Sequence, residues 1–154
     1  MIIVCPSCGK NFDLDENAGE VTLVMEDFSR VILNIANNAF DAMRDKLNSS
    51  NNREYLPSLD IKTKRQKNQV LISIQDNGPG IPDDIKDKIL QPFFTTKKGT
   101  EGTGLGLSIT HDIVKAHGGE LEIETALNKG TNFMIKLKKW EQDLFTENHL
   151  WKSK

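Results

Sequence analysis

The stretch that decides the fold reads Gln69-Val-Leu-Ile-Ser-Ile-Gln-Asp-Asn-Gly-Pro-Gly-Ile81. Its residues up to Gln75 are rich in β-branched and apolar side chains, which predicts a buried β-strand. Asp76 follows directly, and a carboxylate at the end of a buried strand is costly unless it has hydrogen-bond donors. The exocyclic amine of a purine is one such donor, and Gly78 and Gly80 would let the backbone approach a flat ring closely. The alternative is a plain Asp-Asn-Gly turn without a ligand.

The hydrophobic pattern on both sides of this stretch predicts strands and helices in a mixed order. These are a strand over 21–25, a helix from Asp27 or Ser29 to about Leu47, strands over 59–64 and 69–75, a short helix from Pro82 to Leu90, a helix over 105–116, and strands over 120–125 and 131–137. This order predicts an α/β (α+β) two-layer sandwich. We expect a mixed, mostly antiparallel sheet of about five strands, covered on one face by about three helices.

The bulk composition fits one compact domain. The chain has 154 residues, 37% of them hydrophobic and 27% charged, with a formal net charge of −2. We expect the folded domain over residues 21–138, a short segment without an independent fold over 1–20, and a tail over 139–154 that forms a docking helix or frays. The net charge is small and no apolar run reaches the roughly 18 residues of a membrane span. We therefore expect no nucleic-acid partner, no membrane segment and a cytoplasmic location.

The two cysteines, Cys5 and Cys8, have the spacing of half a zinc site or of a redox pair. The other half of a zinc site is not recognisable in the sequence, because the histidines at 111, 117 and 149 have no metal-binding spacing. We favour two reduced thiols. The alternative is a metal shared between chains or completed by a distant histidine.

The predicted first helix carries an apolar and a polar stripe. The apolar stripe faces the core and contains Phe28, Val31, Ile32, Ile35, Ala39, Ala42 and Met43. Asn34, Asn38 and Asp41 follow at helical spacing and form a narrow polar stripe beside it, about 100° around the helix. A carboxamide at the rim of the core can offer its oxygen to Mg²⁺ that is held mainly by phosphates. The alternative is an ordinary asparagine pair on an exposed helix face.

A second glycine-rich segment follows the short helix. Residues 91–98 read Gln-Pro-Phe-Phe-Thr-Thr-Lys-Lys, and residues 99–108 read Gly-Thr-Glu-Gly-Thr-Gly-Leu-Gly-Leu-Ser. Gly102, Gly104 and Gly106 leave backbone N–H groups free to bind phosphates, and the N-terminus of the next helix favours the same anions. Residues 95–103 combine glycine, threonine and lysine without an apolar pattern, so we expect a lid that a nucleotide orders.

Taken in order, these segments resemble the ATP-binding module of the GHKL superfamily, and specifically its histidine kinase branch. Residues 33–43 look like the N box, 76–80 like the first glycine box, 92–97 like the F box and 102–108 like the second glycine box. Residues 118–121 and 129–133 match the closing segment of the family. The resemblance covers roughly residues 21–137 and implies the GHKL ATP-binding fold.

The resemblance also implies a role for each matching residue. Asn38 would bind Mg²⁺, Asn34 would support the triphosphate, and Lys97 would contact the phosphates from the lid. Asp76 would accept a hydrogen bond from the adenine amine. The remaining contacts would come from Gly78, Gly80, Ile81 and Thr131 around the base, and from Phe93, Gly102, Gly104, Leu105 and Gly106 along the lid. Phe93 and Phe94 would anchor the lid and face a partner helix, although core packing is an alternative for one of them.

The implied activity is that of a protein histidine kinase catalytic domain in a two-component system. Such a domain transfers the γ-phosphoryl group of Mg-ATP to a histidine on a helical hairpin, which in turn serves a response regulator. The first histidine of this sequence is His111, on the helix behind the lid, and we interpret it and His117 as structural. We therefore expect the phosphoacceptor hairpin on a separate or missing segment.

Other functions within the superfamily are alternatives. Gyrase-like and mismatch-repair ATPases carry a glutamate four residues before the metal-binding asparagine, where it activates water, and this sequence has Asn34 there. An anti-sigma-type serine kinase is naturally a lone domain. A non-catalytic adaptor would use the nucleotide only as a structural ligand. Transfer to an external nucleophile is the interpretation that the sequence favours.

Overall fold

A computed structural model of the protein describes residues 2–4, 11–13, 24–49, 54–66, 68–97 and 102–138. Its elements are β1 (Ile2–Val4), β2 (Asn11–Asp13), α1 (Met25–Ser49), β3 (Leu59–Gln66), β4 (Gln69–Asp76), α2 (Asp83–Lys86), α3 (Gly106–Ala116), β5 (Glu120–Ala126) and β6 (Gly130–Lys138). Cys5, Cys8, the centre of the expected lid at 98–101 and the tail over 139–154 lie outside the described residues. The predictions made for them stay predictions.

The main sheet has four strands in the order β3-β4-β6-β5. Each neighbouring pair runs antiparallel, and β4 lies in the interior with β3 on one side and β6 on the other. Val70, Ile72 and Ile74 of β4 stand opposite Leu137, Ile135 and Phe133 of β6. This register places two apolar rows side by side, because alternate residues of a strand point to the same face of the sheet.

One face of the sheet is apolar and covered by helices. The core cluster joins the apolar rows of β4 and β6 with Phe28, Val31 and Ile35 of α1 and Val114 of α3. The opposite face is polar: Ser73 Oγ donates to Asn132 Oδ1 over 2.7 Å, and Lys136 pairs with Glu122. The predicted two-layer sandwich with helices on one face is confirmed.

The row of buried residues on β4 ends in a carboxylate. Val70, Ile72, Ile74 and Asp76 alternate along the strand and are all buried, so Asp76 continues the core face and does not point to solvent. On β6 the buried row reaches Thr131 at the same edge of the sheet. The alternation that builds the core therefore also carries a charged group to its rim.

The start of α1 differs from the sequence prediction. Val24 and Met25 were expected to end a first strand, but Met25 begins α1, and residues 21–23 lie outside the described part. The carbonyl oxygen of Val24 already accepts the Phe28 N–H over 3.0 Å. Glu26 and Asp27 then lie in the first turn, where their negative charges interact favourably with the helix dipole and stabilise the helix. This shift also explains why the main sheet has four described strands and not about five.

The short helix after the glycine-rich turn is shorter than predicted. The helix expected from Pro82 to Leu90 is limited to α2. Hydrogen bonds from Lys88 N to Ile85 O and from Gln91 N to Lys88 O span three residues, which tightens the chain and ends the regular α-helix. The remaining predicted helix and strands agree with α3, β3, β4, β5 and β6 to within about two residues at each end.

The N-terminal strands form a small separate pair. β1 and β2 run antiparallel, with Ile2 opposite Asp13. Two strands of this length do not make a stable fold by themselves, so the interpretation of residues 1–20 stays a prediction. In the described residues no helix has both the length and the apolar character needed to cross a membrane.

Candidate functional site

Asp76 is the central group of the candidate site. Its side chain is 5% exposed. Oδ1 accepts hydrogen bonds from the backbone N–H groups of Gly78, over 2.7 Å, and Thr131, over 3.3 Å. Oδ2 receives no hydrogen bond from another residue in the described part of the chain. A buried carboxylate oxygen without a donor is costly, and a ligand that brings an N–H to it removes that cost.

The environment of Asp76 acts on its charge in opposite directions. Burial raises the pKa of Asp76, and this is the largest effect. The hydrogen bonds from Gly78 and Thr131 and the positive charge of Lys46 lower the same pKa, but only in part. Burial therefore outweighs the groups that favour the charged form, which is typical of a carboxyl group at a functional site.

Two glycines allow the chain to pass close to Asp76. Gly80 has a φ of +77° and Gly130 a φ of +107°, values that other residues rarely adopt. A Cβ at position 80 would overlap the carbonyl oxygen of Ala126, and a Cβ at position 130 would overlap that of Asp76. The loop after β4 and the β5–β6 turn are therefore packed backbone against backbone.

Ile81 and Thr131 lie beside this loop, as the sequence predicts. The Ile81 N–H donates to Thr125 Oγ1 over 2.8 Å, and Thr125 Oγ1 lies 3.2 Å from Thr131 Oγ1. Asp76, Gly78, Gly80, Ile81 and Thr131 thus meet at one edge of the sheet. Thr125 is an additional member that the sequence did not identify.

Asn34 is engaged with α3. Its Nδ2 donates to Gly106 O over 3.1 Å and lies 3.4 Å from Thr110 Oγ1. A Cβ at position 106 would stand 3.8 Å from the Asn34 carboxamide, which is ordinary contact. Asn34 therefore holds the first turn of α3 against α1, and its predicted support of a triphosphate stays a prediction.

Asn38 and Asp41 continue the polar stripe of α1. The half-buried Asn38 side chain has no hydrogen bond with any residue of the described ranges. Asp41 forms ion pairs with Arg44, at 2.9 Å, and with Lys97. Lys97 is thus brought to the polar stripe of α1, a contact with Asp41 that the sequence did not indicate, and its predicted phosphate contact stays a prediction.

The N-terminus of α3 has no side-chain cap among the described residues. Leu105 is the N-cap and provides no side-chain hydrogen bond, and no acidic residue occupies the first turn. The first N–H groups of any helix lack partners within the helix. The amide of Leu105 itself contacts Thr103 Oγ1 at 3.4 Å. This end of α3 is suited to an anion.

The segment before α3 brings Phe93 next to Gly104. Phe93 has a φ of +66° and is 76% exposed, whereas Phe94 is half-buried. Gly104 has a φ of +67°, and a Cβ there would overlap the Phe93 carbonyl. Nearby, a Cβ on Gly102 would stand 2.8 Å from Thr95 Oγ1. The two described ends of the expected lid therefore lie together.

The two described histidines have different surroundings. His117 Nε2 accepts the backbone N–H of Val24 over 3.2 Å, and its Nδ1 lies 2.8 Å from Ile113 O. These contacts tie the end of α3 to the start of α1. His111 lies 3.5 Å from Asp112.

Comparisons with known proteins indicate which proteins this chain is similar to. A family model described as histidine kinase-, DNA gyrase B- and HSP90-like ATPase matches residues 24–141. Among curated proteins, the chain is 35% identical over 138 residues to the sensor kinase CckA of Brucella abortus, which covers 84% of this chain and 15% of that protein. It is 47% identical over 68 residues to the sensor histidine kinase ZraS of Escherichia coli, covering 44% of this chain and 14% of that protein. The chain therefore spans only a small part of these relatives.

Solved structures give the same result for the fold. The catalytic domain of the histidine kinase ThkA, in a nucleotide-free form, has a TM-score of 0.65 and 32% identity, and the match covers 83% of this chain and 78% of that one. A mycobacterial sensor histidine kinase, MprB, has a TM-score of 0.59 and 25% identity, covering 73% and 70%. Both comparisons place the described sheet and helices in one recognised architecture.

The raised pKa of Asp76 predicts how the stability of the protein without nucleotide depends on pH. Because the folded pKa is raised, ionised Asp76 lowers the free energy of unfolding once the pH is above that folded pKa. Asp76→Asn removes this effect, so it should be at least as stable as the unchanged protein at neutral pH. The difference in free energy of unfolding between the variant and the unchanged protein should grow as the pH rises from about 3.9, the ordinary pKa of Asp, through the folded pKa. Urea unfolding from pH 3.5 to 7.5 measures this.

The matched control is Asp60→Asn, on the exposed face of β3. It removes an exposed carboxylate from the neighbouring strand, and its free energy of unfolding at neutral pH should match that of the unchanged protein. A loss of stability in Asp76→Asn that grows as the pH rises through the folded pKa would show that the ionised carboxylate stabilises the fold, contrary to this prediction.

Proposed function

Since this chain belongs to the family of histidine kinase-, DNA gyrase B- and HSP90-like ATPases, we propose that it binds Mg-ATP and donates the γ-phosphoryl group to a histidine of a phosphoacceptor helical hairpin. The observation that carries the proposal is the buried Asp76 carboxylate, whose Oδ2 receives no hydrogen bond from another residue among those described. The reaction belongs to two-component signal transduction, with a response regulator downstream. We place it in the cytoplasm, where ATP is available.

The adenine base is assigned to the edge of the sheet around Asp76. The exocyclic amine of adenine would donate to Oδ2, which has no other donor among the described residues. Guanine presents a carbonyl oxygen at the corresponding position, which would face the carboxylate unfavourably. Gly78, Gly80, Ile81 and Thr131 would complete the pocket, because Gly78 N and Thr131 N donate to Asp76 and Gly80 and Ile81 follow Gly78 in the same loop.

The phosphates are assigned to the start of α3 and to Lys97. The uncapped N-terminus of α3 offers backbone N–H groups and the positive end of the helix dipole. Gly102, Gly104, Leu105 and Gly106 form the approach to it. Lys97 pairs with Asp41 in the empty protein. A triphosphate would compete with this carboxylate for the ammonium group, and Phe93 at the base of the segment would remain exposed to a partner helix.

Mg²⁺ is assigned to Asn38. A half-buried carboxamide without a partner in the described residues fits a hard cation that takes most of its ligands from phosphate oxygens and water. When bound, the ion would neutralise charge that develops on the phosphates. Groups of three or more His, Cys, Asp or Glu side chains able to hold a metal do not occur in the part of the chain that the structure describes.

Transfer to a protein nucleophile is favoured over hydrolysis. Asn34 occupies the position where related ATPases carry the glutamate that activates water, and its amide already donates to Gly106 O. An asparagine cannot accept a proton from water in this way. The domain would therefore orient the triphosphate, neutralise its charge and leave the nucleophile to the partner.

The test is a transfer reaction. The chain is incubated with Mg-ATP labelled at the γ-phosphoryl group and a phosphoacceptor hairpin from a sensor histidine kinase. We expect label on the hairpin that is lost in acid and stable in alkali, and no label on a hairpin whose acceptor histidine is replaced by glutamine. Release of free phosphate without transfer would favour an ATPase, and acid-stable label on serine would favour an anti-sigma-type kinase. Either result would contradict the proposal.

A second prediction concerns Asn38→Ala. Mg²⁺ should raise the ATP affinity of the unchanged protein, and this effect should be largely lost in the variant because the carboxamide oxygen is gone. The fold should be intact, since Asn38 makes no hydrogen bond within the described residues. Calorimetric titration with ATP, with and without magnesium, measures the difference.

The matched control is Asn37→Ala, one residue earlier on the exposed face of α1. It should keep the full magnesium effect. If Asn38→Ala instead lowers the melting temperature of the empty protein by many degrees, the residue is structural and its assignment as the magnesium ligand is wrong.

A further inference from the structure

Lys46 makes an unusual set of contacts for a lysine in the last turn of a helix. Its Nζ lies 2.8 Å from Asn77 O, 2.8 Å from Gly78 O and 3.2 Å from Asn128 O. A lysine ammonium group has three N–H donors, so all three are used on backbone carbonyls. Lys46 is not needed for any step of the transfer reaction described above.

Tyr55 reinforces the same place from a second segment. Its ring lies under the Lys46 ammonium, 4.7 Å from Nζ to the ring centroid. Its hydroxyl group lies 3.0 Å from Asn77 Oδ1 and 3.2 Å from Asn77 O, so it donates to Asn77 as well. Asn77 is further fixed because its Nδ2 donates to Leu56 O over 2.8 Å and its Oδ1 accepts from Ser58 N over 2.9 Å.

The three carbonyls belong to the two chain segments that frame Asp76. Asn77 and Gly78 begin the loop after β4, and Asn128 lies in the β5–β6 turn. The segments also contact each other, since Asn128 N donates to Pro79 O over 2.7 Å. Lys46 therefore joins α1, the loop and the turn at one point through charge-assisted hydrogen bonds, which are about twice as strong as neutral ones.

We propose that Lys46 and Tyr55 are positioning residues for the nucleotide base, which hold the 77–80 loop and the β5–β6 turn so that the free oxygen of Asp76 stays open to adenine. This inference rests on the proposed function. Without Lys46, the three carbonyls would lose their shared donor and the loop could rotate. Gly78 N, which fixes Asp76 Oδ1, would then move with it.

The charges around Asp76 add a distinctive consequence. Lys46 from α1 lowers the pKa of Asp76, and the charge of Asp76 in turn acts on the hydroxyl group of Tyr55. Burial, and then the charge of Asp76, raise the pKa of Tyr55 above its ordinary value. Tyr55 is therefore neutral over the whole pH range of the binding experiment below. Removing Lys46 should let the pKa of Asp76 rise further. ATP binding, which requires the ionised carboxylate, should then be lost at a higher pH on acidification.

The experiment measures the affinity of the full chain for a non-hydrolysable ATP analogue and for GTP, with magnesium, from pH 5 to 8. Lys46→Met should weaken binding of the ATP analogue by roughly tenfold, the loss expected for hydrogen bonds to a charged group, and should reduce the preference over GTP. As the pH is lowered, Lys46→Met should lose its affinity for the ATP analogue at a higher pH than the unchanged protein does. Tyr55→Phe should weaken binding by a smaller factor, about threefold.

The matched control is Lys64→Met, on the exposed edge of β3. It should bind as the unchanged protein does. Melting temperatures are recorded in parallel, and binding is measured well below them. A Lys46→Met variant that melts earlier but binds with unchanged affinity, selectivity and pH dependence would show a purely structural role and overturn the inference.

Two further outcomes are distinguished by this design. If Lys46→Met does not fold, Tyr55→Phe decides, and unchanged affinity in that variant overturns the inference. If the unchanged protein binds no adenine nucleotide, the proposed function itself fails. The positioning role and the nucleotide site can therefore fail separately.

Discussion

The carboxylate of Asp76 is a charge placed at the end of a hydrophobic row, and the surrounding structure accommodates it. Val70, Ile72 and Ile74 bury the same face of β4, so the strand carries Asp76 into a place where burial raises its pKa. Two backbone N–H groups and the charge of Lys46 lower this pKa in part. The two N–H groups come from the loop after β4 and from the start of β6, so these segments must approach each other closely. Gly80 and Gly130 make that approach possible.

The helix α1 connects this site to the rest of the proposed nucleotide path. Its apolar stripe is part of the core, with Val31 and Ile35 fully buried. The polar stripe beside it carries Asn38 and Asp41, and its last turn carries Lys46. One rigid element thus fixes the distance between the end assigned to the base and the end assigned to the phosphates. The segment of Lys97 is attached to the same helix through Asp41.

Much of the fold and the site could be predicted because it depends on local pattern. The alternation of β4, the apolar stripe of α1 and the glycine segments are all visible in sequence, and they brought Asp76, Gly78, Gly80, Ile81 and Thr131 together as expected. The start of α1 was wrong because the largely apolar run over residues 21–25 contains β-branched side chains, which favour a strand. The helix begins at Met25, and the backbone N–H of Val24 just before it donates to His117, which lies 93 residues away and so leaves no local signal in the sequence.

The contacts of Lys46 could not be predicted for a different reason. Its partners are main-chain carbonyls, and a carbonyl leaves no mark on the sequence. They lie 31, 32 and 82 residues away along the chain, so no local spacing indicates them. The ion pair of Asp41 with Lys97 is likewise distant, at 56 residues. Sequence patterns predicted which residues carry the site, whereas the contacts of Lys46 and Asp41 became visible only in three dimensions.

The most direct test of this account is the titration of the Asp76 carboxyl group by carbon-13 NMR, in the empty protein and with a non-hydrolysable ATP analogue and magnesium. In the empty protein, the pKa should lie above the ordinary value for Asp, since burial is the dominant influence. With the nucleotide bound, it should fall, because the adenine amine donates to the ionised form and stabilises it. An ordinary pKa in the empty protein, or a pKa that does not change when the nucleotide binds, would contradict the central role given to Asp76.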